Sequence, residues 1–450
     1  MQTLENTLNQ ISNIVWGWPL IILLLGTHLF LTFRLKFIQK YLGTAIRLSL
    51  TKSSGSRGDV SHFGALTTAL AATIGTGNIV GVATAVALGG PGAVLWMWLT
   101  GVFGMATKYA EAVLSIKYRI KTHVGHFAGG PMYVMDLGLK SKWLGILFAV
   151  FTSIAAFGIG NTVQANSIAS LVKETFNISP WISGIVMTFF TALVILGGIK
   201  SIARVCEMLV PFMAISYCGG CLIILCLHVE TLPHTIMLIL STAFQGQAAV
   251  GGFVGAGVRD AIRYGTARGL FSNESGLGSA PIVAAAAKTK NPVEQALVSS
   301  TGTFWDTVVV CAITGLVLVN SGEWVQGLNG ASLTKAAFGD IPVIGPLILC
   351  AGLLTFVFST ILGWSYYGER AIEYLFGHAA IQPYRWLWVV AVMAGSVVTM
   401  PAVWAFADIA NAFMAIPNLI SLILLNGVIV RETRKHLWDL GLNHPPAKGG

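Results

Sequence analysis

Long apolar segments recur along the whole chain, and they restrict its fold more than any other feature. About 20 apolar residues suffice to cross the roughly 30 Å of hydrocarbon in a bilayer. Only 10% of the 450 residues are charged, against about 25% in soluble domains. The pattern predicts an all-α polytopic membrane protein. Its eleven predicted transmembrane helices lie at residues 14–33, 62–88, 92–116, 143–171, 181–199, 207–228, 235–258, 296–319, 343–368, 386–400 and 402–429.

The basic residues indicate how the chain is oriented. An odd number of spans places the two termini on opposite sides, and Lys and Arg are enriched in cytoplasmic loops. Of the 27 Lys and Arg residues, all but Lys173 and Lys335 are assigned to the odd-numbered connections and the C-terminal tail, including Arg259, Arg263 and Arg268 after the seventh span. We therefore expect a multi-pass protein of the plasma (cytoplasmic) membrane, with its N-terminus outside and its C-terminus in the cytoplasm. The positive charge then reflects topology, and no nucleic-acid partner is implied.

The second segment is interrupted by polar residues at membrane depth. Its centre, residues 73–78, reads TIGTGN. Gly is unfavourable inside a helix by up to about 1 kcal/mol, and Asn and Thr are only modest helix formers. This predicts a helix that breaks at residues 75–77 and resumes at Asn78, with free backbone groups that line a cavity or meet a ligand. The alternative is a kinked helix whose small residues pack against a neighbour.

The seventh segment has a similar interruption, because residues 242–252 read TAFQGQAAVGG. Gly-interrupted segments at corresponding positions of two halves are typical of the central site of a secondary transporter. The interval of five spans predicts two inverted repeats of five helices, at residues 62–230 and 231–430. Residues 1–61 would then form a peripheral first helix with a basic cytoplasmic loop, and residues 431–450 a cytoplasmic tail.

Other polar side chains at membrane depth also need partners. Asn161 and Gln164 are i, i+3 neighbours on one helical face, which predicts a wet cavity unless they form interhelical hydrogen bonds. Adjacent Ser359 and Thr360 offer hydroxyl oxygens that suit a small hard cation, or they bond back to the preceding helical turn. Since Thr360 and Trp364 are i, i+4 neighbours, a hydroxyl and an aromatic wall would meet the same small ligand.

Two acidic residues and two connections complete the pattern. Asp306 and Asp408 are the acidic groups nearest the bilayer interior, and each is either part of a proton or cation path or paired with a polar neighbour. Residues 272–281 (SNESGLGSAP) and the short apolar run 282–287 predict a cytoplasmic re-entrant or amphipathic helix. Residues 323–340 predict a short lid on the outside.

Five sequence blocks in this order resemble the alanine or glycine:cation symporter family. They are GTGNIVGVA (75–83), GGPGAVLWMW (89–98), GGPMYV (129–134), FSNESGLGSAP (271–281) and FSTILGWSYYGE (358–369). The resemblance extends over about residues 10–435. It implies a LeuT-type fold with one additional N-terminal helix, and coupling of sodium entry to the uptake of alanine, glycine or related small amino acids.

The resemblance also implies a substrate site. The implied substrate-binding residues are Thr76, Gly77, Asn78, Gln164, Thr360 and Trp364. The first three would offer backbone N–H groups to the substrate carboxylate at the positive end of a half-helix. The other three would bound the pocket, and Trp364 would limit the size of the substrate side chain.

A cation site beside the substrate is implied in the same way. The backbone carbonyls of Ala71 and Ile74 and the hydroxyls of Ser359 and Thr360 would bind Na⁺, which serves as the coupling ion rather than as a cofactor. The seventh segment is expected to contribute residues 245–252, with the stretch 272–281 as the alternative.

The leading hypothesis is therefore a sodium-driven symporter whose partners are a small amino acid, sodium and the lipid bilayer. A proton-driven transporter of the same fold is the nearest alternative. A channel would need a continuous polar path, whereas the polar positions cluster at one depth. An enzyme is not indicated, because the chain contains no HExxH motif, no Ser/His/Asp arrangement and no metal-ligand cluster. No obligate protein partner is implied.

Overall fold

The fold was analysed in a computed structural model, which describes residues 2–51, 57–245, 255–339, 341–342, 344–398, 401–439 and 442. The helices of the first half are α1 (Gln2–Val15), α2 (Trp18–Arg34), α3 (Leu42–Leu50), α4 (His62–Thr73), α5 (Val82–Gly89), α6 (Ala93–Lys117), α7 (Pro131–Tyr133), α8 (Lys142–Phe157), α9 (Val163–Phe176), α10 (Pro180–Ile195) and α11 (Gly198–Leu227). The helices of the second half are α12 (Leu232–Gln245), α13 (Val258–Asn273), α14 (Pro281–Ala284), α15 (Pro292–Thr303), α16 (Ala312–Asn320), α17 (Gly330–Gly339), α18 (Ile344–Phe376), α19 (Ile381–Val397), α20 (Pro401–Leu424) and α21 (Asn426–Thr433).

Short segments of other geometry join or extend these helices. Single π-helical segments lie at Gly77–Gly81, Val134–Gly138, Gly158–Thr162, Phe304–Cys311 and Arg434–Trp438. Short 3-10 turns lie at Ile38–Tyr41, Glu323–Gln326 and His378–Ala380. A two-stranded antiparallel hairpin is formed by β1 (Ile120–Lys121) and β2 (Phe127–Ala128).

Length and composition identify part of the predicted set of spans. Within the described ranges, four helical stretches are long and apolar enough to cross a bilayer, and the number rises to seven if each of three sharply bent pairs counts as one span. The four stretches are Lys142–Phe176, Gly198–Leu227, Pro292–Asn320 and Ile344–Phe376. The all-helical membrane architecture is confirmed, whereas the number eleven stays a prediction.

The two ends of the helical bundle are defined by how α6 packs against the stretch Pro292–Asn320. A Cβ added at Gly101 would lie 2.8 Å from Thr307, and one added at Gly315 would lie 2.7 Å from Val94. The two helices are therefore antiparallel, and the start of α6 lies at the same end as Asn320. We call this the Asn320 end, and the other the Lys117 end.

The predicted break in the second segment is present. Helix α4 ends at Thr73, and the chain resumes at Gly77 after a bend of 54°. Ile74 adopts an extended conformation with ψ of 96°, so the α-helical hydrogen-bond ladder is interrupted there. We call residues 74–76 the first break.

The predicted seventh span is wrong in position. Thr231 and Thr235, at the start of α12, both donate to the Asn320 side chain, at 2.9 and 2.6 Å. Near the other end of α12, Trp96 Nε1 donates to the Ala243 carbonyl at 3.1 Å. Both ends of α12 thus lie at the Asn320 end, so this helix lies across the bundle instead of spanning it. Of the predicted interruption at 242–252, residues 246–252 lie outside the described residues.

Helix α13 is the element that enters the bundle instead. It begins at the Asn320 end, where a Cβ added at Gly89 would lie 3.0 Å from the Asp260 carbonyl. It then runs parallel to α6 and ends at Asn273, deep inside the protein. The chain is non-helical until α14, and residues 270–287 are buried throughout. The stretch predicted as a cytoplasmic re-entrant or amphipathic helix is therefore a second interruption within the bundle, and we call residues 274–280 the second break.

This arrangement changes the assignment of four basic residues. Arg259, Arg263 and Arg268 lie on α13, in the half of the bundle toward the Asn320 end, and not in a connection at the Lys117 end. Lys108, which was assigned to the third connection, is buried inside the bundle. The apolar-segment pattern missed α13 because its arginines lower its hydropathy. They lie against aromatic rings, as in Arg259 over Trp18 at 5.9 Å.

Candidate functional site

The side chain of Asn78 stabilises the first break from within. Asn78 Oδ1 accepts from the Gly75 backbone N–H at 2.9 Å. Its Nδ2 donates to Asp306 Oδ1 at 2.7 Å. An unpaired backbone group in the bilayer costs several kcal/mol, so this side chain takes over from the missing helical partner.

Gln164 reaches the first break from α9. Its Nε2 donates to Thr76 Oγ1 at 3.2 Å and to the Ile159 carbonyl at 2.9 Å. Its Oε1 lies 3.4 Å from the Thr76 backbone nitrogen, which donates to it. The Asn78 backbone nitrogen donates to the Gly75 carbonyl at 3.2 Å. Two of the three predicted carboxylate donors are therefore engaged in long intramolecular hydrogen bonds in this arrangement.

Thr360 and Gln164 both meet the break at Gly75. A Cβ added at this glycine would lie 2.5 Å from Thr360 Oγ1 and 3.4 Å from Gln164 Oε1. Three elements that are distant in sequence therefore approach one backbone position, and only glycine leaves room for all of them.

The four predicted cation-binding residues lie together. Ser359 Oγ donates to the Ala71 carbonyl at 3.2 Å, and Thr360 Oγ1 donates to the Ile74 carbonyl at 3.2 Å. Both hydroxyls also bond back to the Phe356 carbonyl, at 2.8 and 2.9 Å, so the back-bonding alternative is present, and cation binding stays a prediction. Four oxygen atoms of the type that binds hard cations thus converge where the helical ladder of α4 ends.

The approach of α18 to α4 explains this convergence. A Cβ added at Gly363 would lie 2.7 Å from both the backbone nitrogen and the side chain of Ala72. Small residues at a membrane helix interface allow such close backbone contact. Gly363 lies one turn beyond Ser359 and Thr360, so the contact directs both hydroxyls at the carbonyl groups of α4.

Trp364 is buried beside the same break and is fixed from two sides. A Cβ added at Gly160 would overlap the Trp364 Cβ atom. The Trp364 indole N–H donates to the carboxylate of Glu274 in the second break, and Ser279 Oγ donates to that same carboxylate. The aromatic wall is therefore held by a glycine of the Gly158–Thr162 turn and by an acid that the sequence pattern did not single out.

The end of α13 completes the site. A Cβ added at Gly77 would lie 3.2 Å from the Phe271 ring and 3.3 Å from the Ser272 Cα atom. Sequence reasoning missed both residues as site residues, although the stretch that contains Ser272 was held open as an alternative. The sequence does carry a signal: Gly265 and Gly269 form a GxxxG pattern, which is typical of closely packed membrane helices. Gly269 packs against Met97 and Thr100 of α6.

Asp306, whose role the sequence left open, is paired with polar neighbours. Its carboxylate accepts from Asn78 Nδ2 at 2.7 Å, from Ser272 Oγ at 2.9 Å and from Thr307 Oγ1 at 2.7 Å. It is fully buried. Asp306 thereby joins the first break to the end of α13.

The other two polar residues that the sequence singled out, Asn161 and Asp408, have different surroundings from Gln164. Asn161 Nδ2 donates to the Trp388 carbonyl at 3.0 Å, so Asn161 forms an interhelical bond and does not share the environment of Gln164. Asp408 lies toward the Asn320 end, where its carboxylate is 4.0 Å from Arg268 and its carbonyl accepts from Trp16 Nε1.

The site is closed to solvent in this arrangement, with cavities on either side of it. The six predicted substrate-binding residues are all buried. Toward the Asn320 end, Arg268, Phe271 and Asp408 line a cavity of about 70 Å³. At the Lys117 end, a cavity of about 490 Å³ is lined by Tyr366 and Glu369 of α18, among others.

Comparison with known proteins places these features in a family. The sequence model of the sodium:alanine symporter family matches residues 1–444. The sodium/alanine symporter AgcS of Methanococcus maripaludis is 53% identical over 437 residues, which cover 95% of this chain and 96% of that protein. An uncharacterized transporter of Haemophilus influenzae is 52% identical over 447 residues, covering 98% of each chain.

The overall fold is similar to that of a solved structure. The crystal structure of MhsT in complex with L-phenylalanine superimposes with a TM-score of 0.59 at 15% identity, and the match covers 83% of this chain and 90% of that one. The broken helices and this match define an all-helical, multi-pass membrane protein with the LeuT-like fold. The chain belongs to the sodium:alanine symporter family. It is accordingly a sodium-coupled amino-acid symporter and not an enzyme, as the resemblance implied.

Proposed function

We propose that this protein takes up small neutral amino acids, alanine and glycine, by alternating access, and that sodium binds next to the substrate at the first break. The observation that carries the proposal is the convergence of the Ser359 and Thr360 hydroxyls on the Ala71 and Ile74 carbonyls. A sodium ion would be coordinated by these four oxygens in place of the hydrogen bonds that now join them.

The substrate carboxylate would bind at the start of the half-helix that follows the first break. The backbone N–H groups of Thr76, Gly77 and Asn78 lie there, and a helix N-terminus favours an anion. The hydrogen bonds that now occupy the Thr76 and Asn78 nitrogens are long, at 3.4 and 3.2 Å. A charged carboxylate oxygen is a stronger acceptor than an amide carbonyl, so it would replace them.

Trp364 would restrict the substrate side chain to hydrogen or methyl. It is buried against Gly160 on one side and bonded to Glu274 on the other. Gln164 and Thr360 would bound the rest of the pocket. Because Asp306 is paired with Asn78, we expect Asp306 to stabilise the site residues rather than to contact the substrate.

The membrane topology that we propose retains eleven spans with a different seventh span. That span would comprise α13, the second break and α14, and α12 would lie on the outer surface. The two inverted repeats would then begin with the two broken helices, at α4 and at α13. The N-terminus would be outside and the C-terminus in the cytoplasm.

One ion suffices to drive useful accumulation. A single charge that crosses 100 mV yields about 2.3 kcal/mol from the potential alone, which corresponds to a concentration ratio of roughly 50-fold. A sodium concentration gradient would increase this ratio.

The test is uptake of labelled alanine into proteoliposomes with and without an inward sodium gradient. Ser359→Ala and Thr360→Ala should each lower uptake at limiting sodium by about tenfold or more, because each removes one oxygen ligand, and high sodium should restore part of the rate. Thr355→Ala is a matched control, since Thr355 lies on the same helix and bonds only to its own turn, at Ala351 and Gly352.

Two outcomes would contradict the proposal. Uptake that depends on a pH gradient and not on sodium would show that the coupling ion is a proton. Normal saturation of alanine uptake, with an unchanged sodium dependence, in a variant that combines Ser359→Ala and Thr360→Ala would place the ion elsewhere.

A further inference from the structure

Two neighbouring charged residues of α6 hold the second break at both of its ends. Lys108 Nζ donates to the Asn273 carbonyl at 2.7 Å, where α13 ends and its carbonyl groups lack helical partners. Glu111 Oε1 accepts from the backbone N–H groups of Gly276 and Gly278, at 3.1 and 3.0 Å. The cation therefore meets the negative end of the half-helix, and the carboxylate meets the amide hydrogens that follow.

Helix α20 joins the same arrangement through one side chain. Asn418 Nδ2 donates to Glu111 Oε1 at 2.6 Å and to the Gly276 carbonyl at 2.9 Å. Glu111 thereby links α6, the second break and α20. Any movement of the second break relative to α20 must release hydrogen bonds at this carboxyl group.

All three groups that donate to Glu111 bond to its Oε1 atom, and none of them bonds to Oε2. Glu111 Oε2 is buried and has no hydrogen-bond partner within the described part of the chain. The same is true of His28 Nε2, whose other ring nitrogen lies 2.7 Å from Thr107 Oγ1. Thr107 and Glu111 are i, i+4 neighbours on α6. His28 Cε1 would lie 3.8 Å from a Cβ added at Gly276, whose backbone N–H donates to Glu111 Oε1, so the His28 ring and the Glu111 carboxyl group lie near the same glycine.

The charges around Glu111 do not balance. The buried charge of Lys108 on α6 interacts with Glu111, and Lys108 also interacts with Glu274 in the second break and with Asp306. The Tyr367 hydroxyl on α18 interacts with Glu111, and the His28 ring on α2 lies beside Gly276. One ammonium thus stands against three carboxyl groups, and an uncompensated buried charge is costly.

The hydrogen bonds indicate which carboxyl group takes up a proton. Asp306 has donors on both oxygens, and Glu274 accepts from Ser279 and Trp364. Glu111, in contrast, has one bare oxygen. A proton on that oxygen would relieve the charge imbalance.

We propose that Glu111 binds an exchangeable proton on Oε2, near the His28 ring, and thereby controls how firmly the second break is held. The charged form is the stronger acceptor for Gly276, Gly278 and Asn418, so it clamps the break. Protonation weakens these bonds and lets the break move. This inference rests on the proposed transport function, because it assigns a regulatory proton to the same moving element.

The first test is the pH profile of sodium-driven alanine uptake, with equal pH on both sides of the vesicle membrane and a fixed sodium gradient. Wild-type uptake should rise on acidification by about fivefold through a single titration, since charge-assisted bonds are roughly twice as strong as neutral ones. Glu111→Gln resembles the protonated form and should remain at the acid plateau at every pH while keeping its sodium dependence. Glu174→Gln, which removes an exposed carboxylate at the end of α9, should keep the wild-type profile.

The second test does not depend on transport. Infrared difference spectra of the purified protein in detergent should show a protonated carboxyl band that disappears when the pH is raised, and Glu111→Gln should abolish this band. His28→Asn leaves every hydrogen bond between Glu111 and the second break in place, and it should shift the titration midpoint by about one pH unit or more.

The outcomes separate this inference from the function on which it rests. Absence of sodium-driven uptake at all pH values in the wild type would overturn the proposed function, whereas the infrared band would still decide the protonation of Glu111. A wild-type pH profile in Glu111→Gln, or a band that survives in it, would overturn the inference. If Glu111→Gln does not fold, an unshifted midpoint in His28→Asn overturns the inference.

Discussion

Gly160 and Trp364 illustrate how the lack of a side chain at one position determines where a proposed wall of the substrate pocket lies. The ring of Trp364 occupies the space that a Cβ at position 160 would need. Its indole N–H is directed to Glu274, and Tyr367 contacts it edge-on with ring centroids 5.4 Å apart. The position of this wall is therefore determined by neighbours on three elements.

Gly160→Ala is expected to displace Trp364 toward the substrate. Overpacking of this kind costs typically about 1–3 kcal/mol, so alanine uptake should fall by roughly tenfold, with glycine uptake less affected because glycine lacks the methyl group. Competition between labelled alanine and labelled glycine in proteoliposomes measures this. Gly219→Ala is the matched control, since nothing lies within 4 Å of a Cβ added there. Equal losses for both substrates would contradict the role of Trp364 as a size limit.

Asp306 is a buried carboxylate whose partners define its role. Its donors come from the first break, from the end of α13 and from its own helix. An amide at this position would direct a donor at groups that are themselves donors. The site residues on either side would then lose their common support.

Asp306→Asn should therefore destabilise the protein by about 2–4 kcal/mol and raise the KM for alanine by roughly tenfold or more. Thermal unfolding in detergent and uptake kinetics measure the two effects. Asp136→Asn is a suitable control, because Asp136 is half-buried and keeps an acceptor for the Tyr374 hydroxyl. A normal KM in a stable Asp306→Asn protein would show that the first break needs no such support.

Helices α12 and α13 show why hydropathy alone misplaces an element. Helix α12 is apolar enough to resemble a span, yet both of its ends bond to the Asn320 end of the bundle. Helix α13 carries three arginines, and its close packing on α6 through Gly265 and Gly269 compensates for its polarity. Packing surface, rather than mean hydropathy, decides which helix enters the bundle.

Site-directed labelling tests this revised topology. A membrane-impermeant maleimide should label cysteines introduced at Arg263 and Asn320 from the same side of the membrane, and one introduced at Lys288 from the other side. The background protein carries Cys226→Ser, since Cys226 is the exposed native cysteine among the described residues. If position 263 were labelled from the same side as position 288, the revised topology would be wrong, and the seventh span would be the one predicted from the sequence, residues 235–258.

At the scale of the whole molecule, the two breaks follow one physical rule. Each leaves backbone groups without helical partners, and buried side chains from other elements take their place. Gln164 and Asn78 serve the first break, and Lys108 and Glu111 serve the second. Because these partners are side chains rather than a helical ladder, the proposed mechanism exchanges them for a substrate, an ion or a proton. An exchangeable site of this kind is what alternating access requires.

The sequence by itself determined the all-helical membrane class, the first break and the residues that surround it. These follow from local composition: apolar length sets the class, and glycine with polar residues at membrane depth interrupts a helix. Ser359, Thr360, Gln164 and Trp364 were identifiable because a polar or bulky side chain inside a bilayer needs a specific partner. The resemblance of the five sequence blocks implies their roles, which stay predictions.

Only the tertiary structure decided the position of the second break and the partners of its backbone groups. Asn418 and Glu111 are 307 positions apart, and no local pattern predicts that they meet at Gly276. The arginines of α13 lower its hydropathy, so its burial follows from packing on α6 and not from its composition. Local composition specifies what a segment requires, but which distant side chain supplies it depends on how the helices pack.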